Sequence, residues 1–533
     1  MHQNGLETYS AQLLTPQMGA IQITGAILLI VLGAILIAEL TASWKTRHWN
    51  LRSPLATSPI IGALFALKEK PWETLRQVYM REKLGLYKVR IGYQHVVVIN
   101  NVDAANQVFV RNGLHSASRP VTTSIMQTSS NKTPPPLKSS PWNDATRGKR
   151  TLVTSMLAKS SVQQFSELIE KEVHLVIKEI AACAAEGSFD PHDVLKMFSL
   201  NMSVGVTWGV TLDREKDAEW IREIIDVESG IEHSRYPIDL TEMLPGASYW
   251  LRFSPSYRQT QKDLQSWSVR REKYLDMLED RMREAREDGT ELPCVFNHIE
   301  HGGTRYELAR VDRCSVLVSL LSAGLDAITW SVYWLLLYLA QHPELQAEIR
   351  QAMVDAHYTP LKEDDAEPPE LLESIVKESL RYFTVNRLSL PRVTHQPIRI
   401  GNSYIPEGTM LIMNSWSLNR DPDAWERAEE FDPYRFLGED HKNKTHYAFG
   451  LGRRNCPGQF VAQKQLSLLV AAIIHHFALS EDEPGQPLDP LTNVTDPWAL
   501  ASTPRRVKVC IEGWLTVRST WFPVIESSIT SLS

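Results

Sequence analysis

Residues Phe449-Gly450-Leu451-Gly452-Arg453-Arg454-Asn455-Cys456-Pro457-Gly458-Gln459-Phe460 set one cysteine in a glycine-rich turn, after basic residues and before an apolar helical run. Glycines there permit backbone conformations and close approaches that a Cβ blocks. Pro457 suits the first turn of a helix, whose free N–H groups would then point back at Cys456. With Arg453 and Arg454 nearby, those groups favour thiolate over thiol. Two other readings fail. A dinucleotide loop needs G-x-G-x-x-G, and Asn455 stands where its third glycine belongs. A zinc site needs clustered Cys or His, and the sequence has no C-x-x-C. A thiolate held by backbone amides suits a soft ligand to iron, and haem iron is the leading candidate.

Working outward, Lys377-Glu378-Ser379-Leu380-Arg381-Tyr382 places Glu and Arg three apart, on one helix face, where they can pair. Phe431-Asp432-Pro433-Tyr434-Arg435-Phe436 adds an Arg beside aromatics. Ser315 to Ala340 is apolar all round, yet Ser319, Ser322, Gly324, Asp326 and Thr329 cluster midway. A central Asp is costly in lipid, so this reads as a helix through the protein core that shows polar groups to a buried site, and not as a membrane span.

In order, E-x-x-R, P-x-R-F and F-x-x-G-x-R-x-C-x-G resemble the signatures of the cytochrome P-450 superfamily, the haem-thiolate monooxygenases. The likeness runs from about Gly85 to Val509. Ser140-Pro141-Trp142, Thr207-Trp208-Gly209-Val210, Leu380-Arg381-Tyr382-Phe383-Thr384-Val385 and Leu390-Pro391-Arg392 look most like the fungal phenylacetate hydroxylase branch. The resemblance implies a mainly α fold with small β-sheets, a triangular helical prism, enclosing haem b between the core helix and the cysteine-loop helix. It makes Cys456 the axial iron ligand, Arg454 and Arg392 partners of the haem propionates, and Trp142 and Phe449 neighbours of the haem. It makes Glu378, Arg381 and Arg435 a buried network behind the cysteine loop. It also implies electrons from NADPH through a separate reductase, which fits a chain with no room left for a flavin domain.

Two positions depart from the family pattern. The Arg expected four residues after Trp142 is Thr146, with Arg147 and Arg150 nearby. The core-helix motif A-G-x-D/E-T reads Ala323-Gly324-Leu325-Asp326-Ala327, so the acid is kept and the Thr is lost, with Thr329 two residues on. Asp326 and Thr329 are therefore the catalytic candidates. The leading function is insertion of one oxygen atom of O2 into an apolar or aromatic small molecule, in fungal specialised biosynthesis or aromatic catabolism. The missing Thr supports an alternative, isomerisation, dehydration or oxidative coupling without net oxygen insertion. A haem-binding protein without turnover is the third possibility. For an acidic substrate, Arg119 or Arg235 would supply a basic group.

Length 533, with 43% hydrophobic and 22% charged residues and a net charge of −7, allows one large enzyme domain and gives no case for nucleic acid. Five widely spaced cysteines, Cys183, Cys294, Cys314, Cys456 and Cys510, argue against a disulfide framework and for a reducing compartment. Met18 to Ala38 is almost wholly apolar, long enough to cross a bilayer core of about 30 Å. Lys45, Arg47 and Arg52 follow it and no Lys or Arg precedes it, which puts the N-terminus in the lumen and the rest in the cytosol. The expected organisation is a lumenal segment (1–17), a transmembrane anchor (18–44), a Pro/Ser-rich hinge (45–62) and a catalytic domain (63–533) on the endoplasmic reticulum membrane. Gly85–Ile91 and His95–Ile99 alternate like paired strands, and 114–141 is a Ser/Thr/Pro-rich loop of the kind that contacts substrate.

Overall fold

In the computed structural model the described residues are 46–513, except 131–133, 185–186, 235–250, 301–307, 363–366, 439–443, 483–484 and 486–487, together with isolated positions between 33 and 44. The stretch read as an anchor lies outside them, apart from those isolated positions, and so does Arg235.

The paired strands are present as β1 (Leu86–Ile91) and β2 (Gln94–Ile99), joined antiparallel. Val96 to Ile99 of β2 are all buried because both sheet faces are covered. Val96 and Val98 pack with Leu75 and Val78 of helix α1 (Pro71–Glu82) on one side. Val97 and Ile99 pack with Phe109 and Leu411 on the other. Pro71 opens α1 at a position where its missing N–H costs nothing. Tyr87 Oη and Asn100 Nδ2 both donate to Leu75 O, at 2.9 and 2.6 Å, and fix α1 to the sheet.

The stretch 46–62 is docked on this sheet and is no free hinge. Trp49 and Leu51 are buried with Val97 and Phe109, and Ala63 N–H donates to Arg90 O at 2.7 Å. Composition pointed to a connector because Pro and Ser dominate it, but its apolar residues find a groove.

The helical body is built from α2 (Asp144–Met156), α3 (Ser166–Ala184), α4 (His192–Trp208), α5 (Ala218–His233), α6 (Pro255–Glu287), α7 (Arg310–Ala340), α8 (Pro343–Asp355), α9 (Glu370–Phe383) and α10 (Gln459–His476). Asn143 caps α2, its side chain accepting from Thr146 N–H at 2.8 Å. Helix α7 runs through the core and is packed by α4, α9 and α10. Four of its hydroxyls survive in apolar surroundings because they donate back one turn. Ser319, Ser322, Thr329 and Ser331 bond the carbonyls of Ser315, Val318, Leu325 and Ala327 at 2.7–2.9 Å. A Cβ on Gly324 would stand 2.4 Å from Ser203 Oγ, so a larger residue there would have to turn the Ser203 hydroxyl aside where α7 crosses α4.

Strands β3 (Ser188–Phe189), β4 (Arg392–Val393), β5 (Ile398–Ile400), β6 (Ser403–Ile405), β7 (Met410–Met413), β8 (Phe477–Glu481) and β9 (Val509–Gly513) complete the small sheets. The largest has the order β1-β2-β7-β4, the second β3-β9-β8, and β5 pairs with β6. The architecture is mainly helical with small sheets, as expected.

Candidate active site

The cysteine turn is held by its own backbone. Cys456 N–H donates to Phe449 O at 2.8 Å and Asn455 N–H to Gly452 O at 3.0 Å. Gly452 has φ +69°, and a Cβ on it would lie 2.0 Å from Phe109 O. Helix α10 starts at Gln459, so Pro457 precedes the helix and does not sit in its first turn. The Gly458 N–H still bonds the sulfur. Burial pushes the Cys456 thiol up, while Gly458 N–H and the Arg150 guanidinium pull it down. The residues expected to favour thiolate are thus replaced. Arg453 is exposed, and Arg454 is buried and occupied elsewhere.

Cys456 faces an internal cavity of about 570 Å³, a size typical of small-molecule sites. Phe449, Gly450 and Pro457 flank the thiol on the cavity wall. Asp326, Ala327 and Ser331 of α7 and Lys196, Ser203 and Val206 of α4 form other parts of the wall. Ile225, Ser229 and Glu232 of α5 line it too, and the 114–141 loop contributes Arg119, Leu137 and Lys138.

Four guanidinium groups line this cavity: Arg119, Arg150, Arg392 and Arg454. Arg454 donates to Ala117 O at 2.7 Å, Ser140 O at 2.6 Å and Leu137 O at 3.3 Å. Arg392 donates to Leu451 O at 2.7 Å, stacks 4.3 Å over Phe109, and leaves buried Nη1 without a partner. Arg119 bonds the carbonyls of Lys138, Leu390 and Pro391. Arg150 donates to Asn455 O at 2.7 Å. None of the four has an ion pair among the described residues. Burial, and then repulsion by Arg119 and Arg150, lowers Arg454 to about 8. Burial, and then Arg454 and Arg150, lowers Arg392 to about 9. Such a cluster calls for anionic groups. Arg147 is not part of it, being exposed and paired with Asp144 at 3.2 Å, so Arg150 is the α2 member. Arg119, considered as a substrate anchor, belongs to this cluster.

Trp142 is not on the cavity wall. Arg454 stacks on its ring at 5.1 Å, so Trp142 supports the guanidinium from behind.

Glu378 on α9 is wholly buried and fully satisfied. Arg381 Nε and Nη2 donate to its two oxygens at 2.7 Å each, and Arg435 Nε approaches both at 3.1 Å. Asp432 N–H donates to Oε1 at 2.9 Å. Arg381 spends its remaining donors on the carbonyls of Asn419, Ala428 and Glu430 at 2.7–2.8 Å. Arg435 bonds the carbonyls of Glu426, Arg427 and Glu430. The network therefore pins the 419–435 loop to α9.

Asp326 lies on the cavity wall and forms an ion pair with Lys196, a residue that sequence reading missed. Thr329 does not reach the cavity. It is fully buried, with Oγ1 2.9 Å from Ser199 Oγ and 2.7 Å from Leu325 O. Two residues along a helix turn a side chain about 200°, which carries Thr329 to the α4 side. Ser331, one turn beyond Ala327 on the same face, does line the cavity, as do Ser319 and Ser322 of the same helix. The signal for it was available in that i+4 spacing.

The residues present fit a haem group. A soft thiol faces a cavity of small-molecule size, and four guanidiniums without ion-pair partners among the described residues, one with an orphan donor, stand ready for its two carboxylates.

The cytochrome P-450 family model matches residues 53–511. The cytochrome P-450 monooxygenase CYP3 of Mycosarcoma maydis is 29% identical over 91% of this chain and 92% of its own. Two Emericella nidulans proteins are each 27% identical over 85% of this chain. These are 3-hydroxyphenylacetate 6-hydroxylase, covered over 86% of its length, and phenylacetate 2-hydroxylase, covered over 88%.

Proposed function

The chain belongs to the cytochrome P-450 family and is a monooxygenase, and from that premise we propose that it hydroxylates a small aromatic or apolar molecule bearing a polar group. Family membership implies haem, O2, an organic substrate and a reductase partner. When bound, haem supplies the iron centre at which O2 is activated. Cys456 would hold that iron, and Arg454, Arg392, Arg150 and Arg119 would hold the carboxylates. Asp326 would then hold and move protons at the cavity wall, with Lys196 fixing its position.

The observation that carries the substrate reading is the character of the cavity. Leu137, Val206, Ile225, Val316 and Leu320 make an apolar wall, and Ser229, His233 and the Lys138–Glu232 ion pair add a polar region. The hydroxylase relatives act, by their names, on phenylacetates, which have that division. Product formed under labelled O2 tests the reading, since hydroxylation adds one labelled oxygen. Ala327 supports a second reading, because the usual hydroxyl is missing where protons are delivered. A turned-over product without label would favour isomerisation, dehydration or coupling. Metabolite profiling of a deletion strain identifies the substrate and separates specialised biosynthesis from aromatic catabolism.

The proposed setting is the endoplasmic reticulum membrane, with an anchor at 18–44, a cytosolic body and NADPH as the electron source. Removal of 1–44 should release much of the protein from membranes while haem binding persists. Retention of all the protein on membranes would refute the anchor.

A further inference from the structure

A second cavity, of about 10 Å³, lies beside the first and shares Val385, Ser389, Ala499 and Leu500 with its wall. That volume holds one water-sized sphere. Three side chains from separate parts of the chain line it: Trp72 of α1, Arg387 and Ser502. They are 3%, 3% and 4% exposed. Trp72 Nε1, Arg387 Nε and Nη1 and Ser502 Oγ are all buried without a hydrogen-bond partner among the described residues. Only Arg387 Nη2 is used, donating to Pro490 O at 2.6 Å.

An indole N–H and guanidinium N–H groups donate and never accept. Water accepts only two hydrogen bonds, and Trp72 Nε1, Arg387 Nε and Arg387 Nη1 together offer more, so water leaves donors unmet even where Ser502 Oγ accepts from it. The charge points the same way. The Arg387 guanidinium is sandwiched between Trp72 and Trp416, at 4.4 and 4.5 Å, with no ion pair among the described residues. Arg420, the charge that acts most strongly on it, is another cation, and Asp489 and Glu73 act more weakly. Asp496 also lines the cavity; its Oδ1 accepts from Trp498 N–H at 2.8 Å, and it forms no ion pair with Arg387 among the described residues. A buried cation among unmet donors is costly unless an acceptor joins it.

We propose that this cavity binds a single monatomic halide, chloride in the cell, held by Arg387, Trp72 and Ser502. The ion would tie α1 to the 385–389 and 499–502 segments, and so fix a wall common to both cavities. This does not rest on the monooxygenase substrate, and binding is read without turnover.

The test uses the haem-loaded full chain at constant ionic strength. Chloride or bromide replacing gluconate should raise Tm by about 1–3 °C and saturate. Crystals grown with bromide should show one anomalous peak among the three side chains. Arg387→Met should abolish both effects. If that variant fails to fold, Trp72→Phe and Ser502→Ala each remove one donor and should weaken halide binding about tenfold or more. Equal Tm in chloride and gluconate, or a bromide-independent water in the cavity, would overturn the proposal.

Discussion

Lys196 of α4 and Asp326 of α7 form an ion pair at the cavity wall, with the lysine side chain 6% and the carboxylate 19% exposed. The carboxylate proposed to deliver protons is thus held by a cation from a neighbouring helix. Its geometry is set by how α4 crosses α7, where Gly324 meets Ser203.

Asp326→Asn should therefore lower product formed per NADPH consumed, with a rate loss on the order of 10²-fold, since it removes an acid–base group. Lys196→Met should produce a smaller loss of coupling by freeing the carboxylate. Thr329→Val should change little, because its hydroxyl is spent on α4 and the α7 backbone. Ser331→Ala should lower coupling if that hydroxyl relays protons. Loss of coupling in Thr329→Val alone would show that Thr329 reaches the site during turnover.

Glu378→Ala should give little haem-loaded protein. Two buried guanidiniums would lose their shared carboxylate, at a cost of roughly 3–5 kcal/mol. The yield of reduced, CO-bound spectrum per mole of polypeptide measures it. A well-folded, haem-replete variant would contradict the buried geometry.

Gly452→Ala should be far more damaging than Gly187→Ala. Both glycines have positive φ, +69° and +87°, but a Cβ on Gly187 meets nothing within 4 Å. The Gly187 variant carries only the left-handed penalty, about 1–2 kcal/mol. The Gly452 variant must also displace the Phe109 carbonyl, and should lose the haem spectrum. Comparable Tm values for the two would refute this.

Acid should destabilise the fold below about pH 6.5. Burial, then the charges of Lys377 and Arg381, lowers His446 from 6.5 to about 3. Burial likewise lowers His95 and His475 to about 4. Between those values and 6.5 the unfolded chain binds protons that the folded chain refuses, so stability falls as pH falls through this window. His446 contributes a slope of about 1.4 kcal/mol per pH unit there. Urea titrations at pH 7, 5.5 and 4.5 measure it, and His446→Gln should flatten the dependence. An unchanged slope would remove His446 from the account.

The cysteine turn was legible because it is local and chemically unusual, glycines around an odd cysteine leaving few bland explanations. Glu378 and Arg381 alone read as an ordinary helical pair, and the network with Arg435 followed only from the order of the three motifs. The rest depended on tertiary placement. Lys196 looks like any helical lysine until α4 meets α7. Arg147 and Arg150 are equivalent in composition, and only the rotation of α2 decides which enters the cavity. Arg119 read as a substrate anchor because its partners, the carbonyls of Lys138, Leu390 and Pro391, lie on distant segments. Pro457 was placed inside the helix because its fixed φ suits a first turn, whereas Gly458 takes the cap. The docking of 46–62 was hidden because two apolar residues, Trp49 and Leu51, outweigh a polar composition.

The β3–β9 pairing sets the order in which this protein can be finished on the ribosome. Ser188 and Phe189 pair with Cys510 and Val509, so one segment waits for a strand made much later. The cavity is likewise assembled from residues between Arg119 and Thr503. Such long-range closure is slow, and the body is expected to fold as one unit after synthesis rather than piecemeal. A chain stopped before Val509 would leave β8 with an open edge where β9 belongs, ready to pair with other chains. Termination before Val509 should therefore yield aggregated protein, not a slightly shortened enzyme.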